Sequence, residues 1–115
     1  MKLQICLLCN EYPPGPHGGI GTCTQTLGRA LVAAGHRVRV IGAYPAGHPG
    51  APYEIDEGVE VWRLRDGTHR PGKALVRHRL FRTVALWARS GEVDLIEAPD
   101  WEGGIAAWPA LPVPV

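Results

Sequence analysis

Glycines and a histidine between residues 10 and 22, NEYPPGPHGGIGT, are the first residues of this 115-residue chain whose types and spacing suggest chemistry. The stretch separates an apolar run from a segment of helical periodicity, so Gly18, Gly19 and Gly21 are predicted to open a helix. A helix N-terminus offers unpaired main-chain N–H groups, and glycine lets a ligand approach them without a Cβ atom in the way. The three glycines are therefore predicted to hold a phosphate or a sugar.

His17 lies in the same stretch, where it could donate a hydrogen bond to a phosphate or hydroxyl, or act as a base. Two plainer interpretations stay open. The histidine is an exposed loop residue without a function, or the glycines form a turn that only joins a strand to a helix. The length of the stretch favours a ligand, because such connections usually need only about two to six residues.

Two common phosphate-binding motifs do not fit these glycines. The dinucleotide fingerprint G-x-G-x-x-G, started at Gly19, requires a glycine where the chain has Thr24, and no acidic residue ends the next predicted strand. The motif G-x-x-x-x-G-K-[ST] requires a lysine directly after its last glycine, and the stretch has none. An NAD enzyme and a P-loop ATPase are therefore disfavoured.

A second stretch, DLIEAPDWEGG at residues 94–104, places Glu97, Asp100 and Trp101 just after a predicted strand. Carboxylates accept hydrogen bonds from sugar hydroxyls, and an aromatic ring covers the apolar face of a sugar. The stretch is therefore predicted to contact carbohydrate. In the alternative interpretation Asp100 caps a short helix and Trp101 packs in the core, and both interpretations can hold together.

The charges are unevenly distributed although the net charge is only +1, which gives no argument for nucleic acid as a partner. One acidic residue, Asp66, interrupts a region with eight basic residues: Arg63, Arg65, Arg70, Lys73, Arg77, Arg79, Arg82 and Arg89. Such a region could meet phosphates or anionic lipid headgroups. The alternative is a solvated helix face.

Cysteines and histidines show neither a disulfide framework nor a metal site. Cys6 and Cys9 have C-x-x-C spacing, but in a strand they point to opposite faces, so they are predicted to be buried and reduced. The five histidines lack paired ligand spacing, so no metal is expected. No secretion signal and no membrane span is recognised, and the protein is expected in the cytoplasm.

Strand and helix patterns alternate along the chain. Strands are predicted at Leu3–Cys9, Val38–Ala43, 59–65 and 93–98, helices at Ile20–Ala34 and Gly72–Ser90, a polar loop at 45–58, and then a short helix at 100–108 and the start of a fifth strand at 111–115. Gly35 is predicted to end the first helix, and Gly28 to let that helix pack closely on the sheet.

This alternation predicts an α/β fold with a Rossmann-like, three-layer parallel sheet, in which strand 59–65 takes an edge or half-exposed position. Ligands of such sheets bind at the carboxyl ends of the strands, near the point where the strand order reverses. The loop after the first strand, Tyr44 with its loop, and EAPDW are expected to meet there.

EYPPGPHGGIGTCTQTLGRALVAAGHRVRVIGAY followed by DLIEAPDWEGG resembles the N-terminal domain of the GT4-type retaining glycosyltransferases, which have the GT-B fold. The resemblance covers nearly the whole chain. It implies two Rossmann-like domains across a cleft, with the acceptor mainly on the N-terminal domain and a nucleotide-diphosphate sugar, rather than a cofactor, on the C-terminal domain.

The resemblance also implies roles for the residues singled out above. Gly18 and Gly19, with Gly21 and His17 beside them, would line the cleft towards the donor phosphates. Glu97, Asp100 and Trp101 would line the side of a carbohydrate or lipid-linked acceptor. The Arg63–Arg89 region would contact the inner face of a membrane peripherally. No catalytic residue is identified.

Residues 1–115 are thus expected to form a partial N-terminal domain, inactive alone, because the nucleotide-sugar domain of the family is absent from this sequence. That domain, or a separate chain supplying it, is the expected partner. The alternative is a stand-alone sugar- or phosphate-binding module, or an assembly module, of Rossmann-like fold and without catalysis.

Overall fold

The computed structural model describes residues 2–65 and 72–98, and of residues 72–77 the backbone alone. This part of the chain folds into β1 (Gln4–Leu8), α1 (Gly19–Ala33), β2 (Arg37–Tyr44), β3 (Tyr53–Asp56), β4 (Val59–Arg65), α2 (Gly72–Arg89) and β5 (Leu95–Glu97). Residues 100–108 and 111–115, predicted as a short helix and a strand, lie outside the described residues.

The five strands form one sheet in the order β3-β4-β2-β1-β5, with parallel pairing everywhere except between β3 and β4. Helix α1 packs on one face of the sheet through Ile20, Leu31 and Val32. Helix α2 packs on the other face through Leu80 and Val84. The prediction of a three-layer α/β fold is confirmed, and the sheet is mostly rather than wholly parallel.

Each face of the sheet has its own apolar core, because successive strand residues point to opposite sides. Cys9 belongs to the core under α1 and Cys6 to the core under α2, and neither forms a disulfide, as their spacing predicted. Burial, opposed slightly by the charge of Arg39, raises the pKa of Cys6 to about 12, so this thiol is unreactive.

Helix α1 lies close to the sheet through its glycines. A Cβ atom built on Gly28 would lie 3.2 Å from Cγ2 of Val59, which confirms the predicted close packing. Two members of the predicted apolar stripe of this helix, Cys23 and Leu27, are exposed instead of buried. Gly35, with a φ of 97°, ends the helix as predicted, since its N–H donates to the Val32 carbonyl at 2.9 Å.

Strand β3 lies in the segment predicted as a polar loop and takes the edge of the sheet. Strand β4, predicted at an edge or half-exposed position, therefore lies inside the sheet, with alternate residues buried and half-buried. The alternation of β3 is inverted: Tyr53 and Ile55 are exposed, whereas Glu54 and Asp56 are half-buried and form ion pairs. The half-buried positions of this strand carry acidic residues and its exposed positions carry apolar ones. Its hydropathy pattern therefore predicted a loop rather than a strand. A two-residue turn with positive φ at both central residues joins β3 to β4.

The order of the strands reverses at β1. Helix α1 leads from β1 to its neighbour β2, whereas α2 leads from β4 across the other face to β5, on the opposite side of β1. The crevice between the carboxyl ends of β1 and β5 is therefore the place where such a sheet binds ligands.

Candidate functional site

Residues 9–18, here called the opening loop, connect β1 to α1, and Tyr12 fixes the loop to the sheet. Tyr12 is fully buried, and three of its groups are bonded. Its N–H donates to the hydroxyl of Tyr44 at 3.0 Å, its hydroxyl donates to Asp56 at 2.5 Å, and its carbonyl accepts from Arg63 at 3.4 Å. The Tyr44 hydroxyl donates in turn to the carbonyl of Cys9 at 2.9 Å.

Burial, followed by the hydrogen bond to Asp56, raises the pKa of Tyr12 far above its usual range. The Arg29 guanidinium lowers the pKa of Asp56, with the Tyr12 hydroxyl adding to the effect. Asp56 is thus an ionised acceptor and Tyr12 a neutral donor, which fixes the direction of their hydrogen bond.

Arg63 of β4 holds the next part of the loop. Its Nη2 donates to the Pro13 carbonyl at 2.8 Å and pairs with Glu54 at 2.7 Å, while its Nη1 donates to the Ala51 carbonyl at 3.0 Å. The residue is only 1% exposed. Arg63 therefore belongs to the framework of the loop and not to an exposed basic surface.

The mouth of α1 is open apart from one contact. Gly18 donates its N–H to the carboxylate of Glu11, and Thr22 donates to the Gly18 carbonyl at 3.2 Å. Within the described residues, the N–H groups of Gly19, Ile20 and Gly21 have no hydrogen-bond partner, and no side chain caps the helix.

The glycines at this mouth differ in their surroundings. A Cβ atom built on Gly19 would meet no described atom within 4 Å, so this residue faces open space. Gly21 is buried, and a Cβ atom there would overlap the carbonyl of Glu11. Only glycine therefore fits at this position. Gly19 is thus the glycine at which a ligand can come closest to the backbone.

His17 is exposed beside this mouth. Its Nδ1 lies 2.7 Å from the Gly15 carbonyl, which only accepts hydrogen bonds, so Nδ1 carries a proton. In the neutral ring Nε2 is therefore the free acceptor nitrogen. A substrate hydroxyl could donate a hydrogen bond to this nitrogen.

A cleft of about 210 Å³ opens between β1, β5 and the first two turns of α1. Leu8 and Glu97 end the two strands there, and Ile20, Cys23 and Thr24 face them from the helix. The structure therefore brings Glu97 to the expected sheet edge, next to the helix that opens with the three glycines. Asp100 and Trp101 lie outside the described residues.

The basic region divides into two parts. Arg63 is buried, and Arg65 donates to the carbonyls of His48 and Gly50, so these two arginines brace loops. Arg79, Arg82 and Arg89 instead line a surface depression of about 450 Å³ on α2. Arg70 and the side chains of Lys73 and Arg77 are not described.

Residues 2–65 and 72–98 contain no group of three or more histidine, cysteine or acidic residues arranged to hold a metal ion. Nor does any helix in these ranges combine the length and apolar character needed to cross a membrane.

Sequence reasoning missed the supports of the loop: Glu11, Tyr12, Asp56 and Arg63. A signal for Arg63 was present, because in an alternating strand it shares a face with Val59 and Val61. An arginine on the buried face of a strand must find several acceptors, and the carbonyls of a neighbouring loop supply them. Nothing in the sequence pattern identified that loop.

The profile of the glycosyl transferase 4-like domain family matches residues 18–115. The chain is 32% identical to a glycogen synthase of Mycobacterium tuberculosis over 127 aligned residues, which cover 95% of this chain and 30% of that protein. It is 29% identical to an uncharacterized glycosyltransferase of Methanocaldococcus jannaschii over 104 residues, which cover 86% of the chain and 25% of the relative. Since the profile covers most of its length, the chain belongs to the glycosyl transferase 4-like domain family.

Proposed function

We propose that this chain is the acceptor-side part of a retaining glycosyltransferase, which moves a sugar from a nucleotide-diphosphate sugar to an acceptor hydroxyl. Membership of a glycosyltransferase family supports the reaction class. One observation supports the role of this chain: the first turn of α1, whose Gly19, Ile20 and Gly21 N–H groups have no partner among the described residues, lines through Ile20 the cleft that Glu97 borders. Anionic and hydroxyl groups of substrates would both find partners there.

The mouth of α1 would serve the donor side. Its N–H groups and the positive end of the helix dipole stabilise negative charge, which builds up on the leaving diphosphate during sugar transfer. Gly19 would form the open part of this surface, with Gly18, whose N–H donates to Glu11, the buried Gly21 and the exposed His17 beside it. The nucleotide would be held by a further domain or a separate chain, since this chain spans 30% of the glycogen synthase and 25% of the uncharacterized glycosyltransferase.

The cleft would serve the acceptor side. The carboxylate of Glu97 is exposed at its edge, where it can accept hydrogen bonds from sugar hydroxyls. Asp100 and Trp101 would extend this surface. A carbohydrate or a lipid-linked sugar would fit this chemistry, and no metal or cofactor is required for it.

A peripheral contact with the cytoplasmic face of a membrane would suit a lipid-linked acceptor. Arg79, Arg82 and Arg89 lie around one depression with Leu86, which is 65% exposed. Basic residues around an exposed apolar side chain match an anionic lipid surface. Sedimentation with phosphatidylglycerol vesicles, lost in the Arg79→Gln and Arg82→Gln double variant, is expected, and equal sedimentation of both proteins would refute this contact.

Two-dimensional NMR of the ¹⁵N-labelled chain tests the proposed function. ADP-glucose and UDP-glucose are expected to shift the amide signals of Gly19, Ile20 and Gly21. Malto-oligosaccharides are expected to shift those of Glu97 and Ala98. Sodium chloride at equal ionic strength controls for charge screening.

The two sets of signals separate the rival functions. Oligosaccharide shifts without any shift of the Gly19, Ile20 and Gly21 signals by inorganic pyrophosphate, which needs no nucleotide site, would indicate a carbohydrate-binding module. If neither ligand shifts either set at millimolar concentration, the proposed function is wrong and an assembly role remains.

A further inference from the structure

The hairpin of β3 and β4 and the opening loop are joined by Arg63, whose side chain contacts both. Its Nη2 donates to the Pro13 carbonyl at 2.8 Å and to the Tyr12 carbonyl at 3.4 Å. The same nitrogen pairs with Glu54 at 2.7 Å. One guanidinium thus ties two consecutive carbonyls of the loop to an acidic residue of the edge strand.

The guanidinium itself is held in place on several sides. Its Nη1 donates to the Ala51 carbonyl at 3.0 Å, and its carbon lies 5.6 Å from the centre of the Tyr44 ring. A Cβ atom built on Gly50 would lie 2.6 Å from that carbon, so the glycine leaves just enough room for the arginine. These contacts hold the guanidinium between the opening loop, the hairpin and the Tyr44 ring.

The loop leads directly from these contacts to the mouth of α1. Pro13 precedes Gly18 by five residues, and Glu11, the neighbour of Tyr12, accepts the N–H of Gly18. The position of the Tyr12 and Pro13 carbonyls therefore helps to set where the helix mouth and the Glu11 carboxylate lie.

We infer that Arg63 is a positioning residue, which orders the opening loop so that the N–H groups at the start of α1 face a diphosphate group. This inference rests on the proposed function for its ligand. The role of the arginine in ordering the loop rests on the contacts above.

Arg39 provides a matched control on the same sheet. It is also buried, at 5% exposure, and its side chain lies against the Trp87 ring at 4.6 Å and pairs with Glu92 at 3.6 Å. These contacts lie on the α2 face. Its replacement removes a buried arginine without touching the opening loop.

The experiment compares Arg63→Met with Arg39→Met in two measurements. The first is hydrogen exchange of the Tyr12 and Gly18 amides, taken relative to the Val40 amide of β2 so that global unfolding cancels. The second is the dissociation constant for inorganic pyrophosphate. An additional variant, Arg63→Met with Glu54→Gln, leaves no unpaired carboxylate behind and preserves folding if the single variant is too unstable.

In the Arg63 variants, relative exchange of the loop amides is expected to rise about tenfold. Their affinity for pyrophosphate should fall about fivefold or more, because a disordered loop must be ordered on binding. Arg39→Met should change neither quantity more than about twofold. Unchanged relative exchange in both Arg63 variants would overturn the inference, and so would unchanged affinity in a chain that binds pyrophosphate.

If the proposed function is wrong, these two measurements give a different combination of results. The wild-type chain would then not bind pyrophosphate at all, while faster loop exchange in the Arg63 variants alone would still show that the arginine orders the loop. Equal exchange in that case would reject the ordering role as well.

Discussion

The main-chain N–H of Tyr12 donates a 3.0 Å hydrogen bond to the hydroxyl of Tyr44, at the end of the neighbouring strand β2. Both side chains are fully buried, and the same hydroxyl donates to the Cys9 carbonyl. The tyrosine hydroxyl thus satisfies two main-chain groups of the opening loop that water cannot reach. The ends of β1 and β2 and the start of the loop therefore form one hydrogen-bonded unit.

Tyr44→Phe should lower the free energy of unfolding by about 1–3 kcal/mol, because it removes the acceptor of the buried Tyr12 N–H and a donor to the Cys9 carbonyl. Urea denaturation measures this change. Tyr53→Phe is the matched control, since that hydroxyl is exposed and lies 3.5 Å from Glu60. Equal stability of the two variants would show that the Tyr44 hydroxyl does not support the loop.

Glu11→Gln should tighten pyrophosphate binding about fourfold, because it removes a like charge at the helix mouth where the anion would bind. The glutamine oxygen still accepts the Gly18 N–H, so the loop keeps its support. Isothermal titration calorimetry at low salt measures the affinity, and Glu57→Gln removes the same charge from the β3–β4 turn as a control. Weaker binding by Glu11→Gln would mean that the carboxylate holds the ligand or its loop rather than repelling the anion.

Gly28→Val should destabilise the fold by about 1–3 kcal/mol, since its Cβ alone would lie 3.2 Å from Val59 and its two methyl groups must be added at this tight contact. Ala30→Val introduces the same side chain at an exposed position of α1 and controls for helix propensity. Urea denaturation measures the loss in the free energy of unfolding for both variants. A loss in Gly28→Val no greater than in the control would contradict the close packing of helix and sheet.

His48 should make the protein less stable in acid. Its Nδ1 accepts the N–H of Gly50 at 3.0 Å, and burial, followed by the charges of Arg63 and Arg65, lowers its pKa below the usual 6.5. The neutral ring is therefore favoured in the folded protein. Its stabilising effect is complete above pH 6.5 and is lost as the pH falls through the lowered pKa of the folded state.

Urea denaturation at about pH 7.5 and about pH 5.5 tests this titration. The wild type should lose stability between about pH 7.5 and about pH 5.5, and His48→Gln should lose less. His78→Gln, which replaces an exposed histidine, is the control and should lose as much as the wild type. Identical losses in all three proteins would exclude His48 as the titrating group.

The sequence predicted those elements whose hydropathy pattern alone identifies them. The apolar run of β1 placed Cys6 and Cys9 on opposite faces, and Gly35 marked the end of α1. The rule that parallel strands present ligands at their carboxyl ends placed Glu97 at the cleft. These predictions needed only local periodicity and the general geometry of parallel sheets.

The framework of the site could not be predicted in the same way. Glu54 and Asp56 face inwards in β3 because Arg63 and Arg29 neutralise them there, and those partners lie far away in sequence. Hydropathy records a residue's own preference for water and not the partner that the fold supplies. The segment therefore resembled a polar loop, and the arginine resembled part of an exposed basic surface.

The affinity of the chain for pyrophosphate, compared between Gly19→Val and Gly47→Val, tests the central claim most directly. Both glycines have open space where a Cβ atom would lie, so both variants should fold, but only Gly19 lies at the mouth of α1. The valine at position 19 should weaken binding about tenfold, or about 1.4 kcal/mol, while the valine at position 47 should leave it unchanged. Equal affinities of both variants and the wild type would contradict an anion site at the start of this helix.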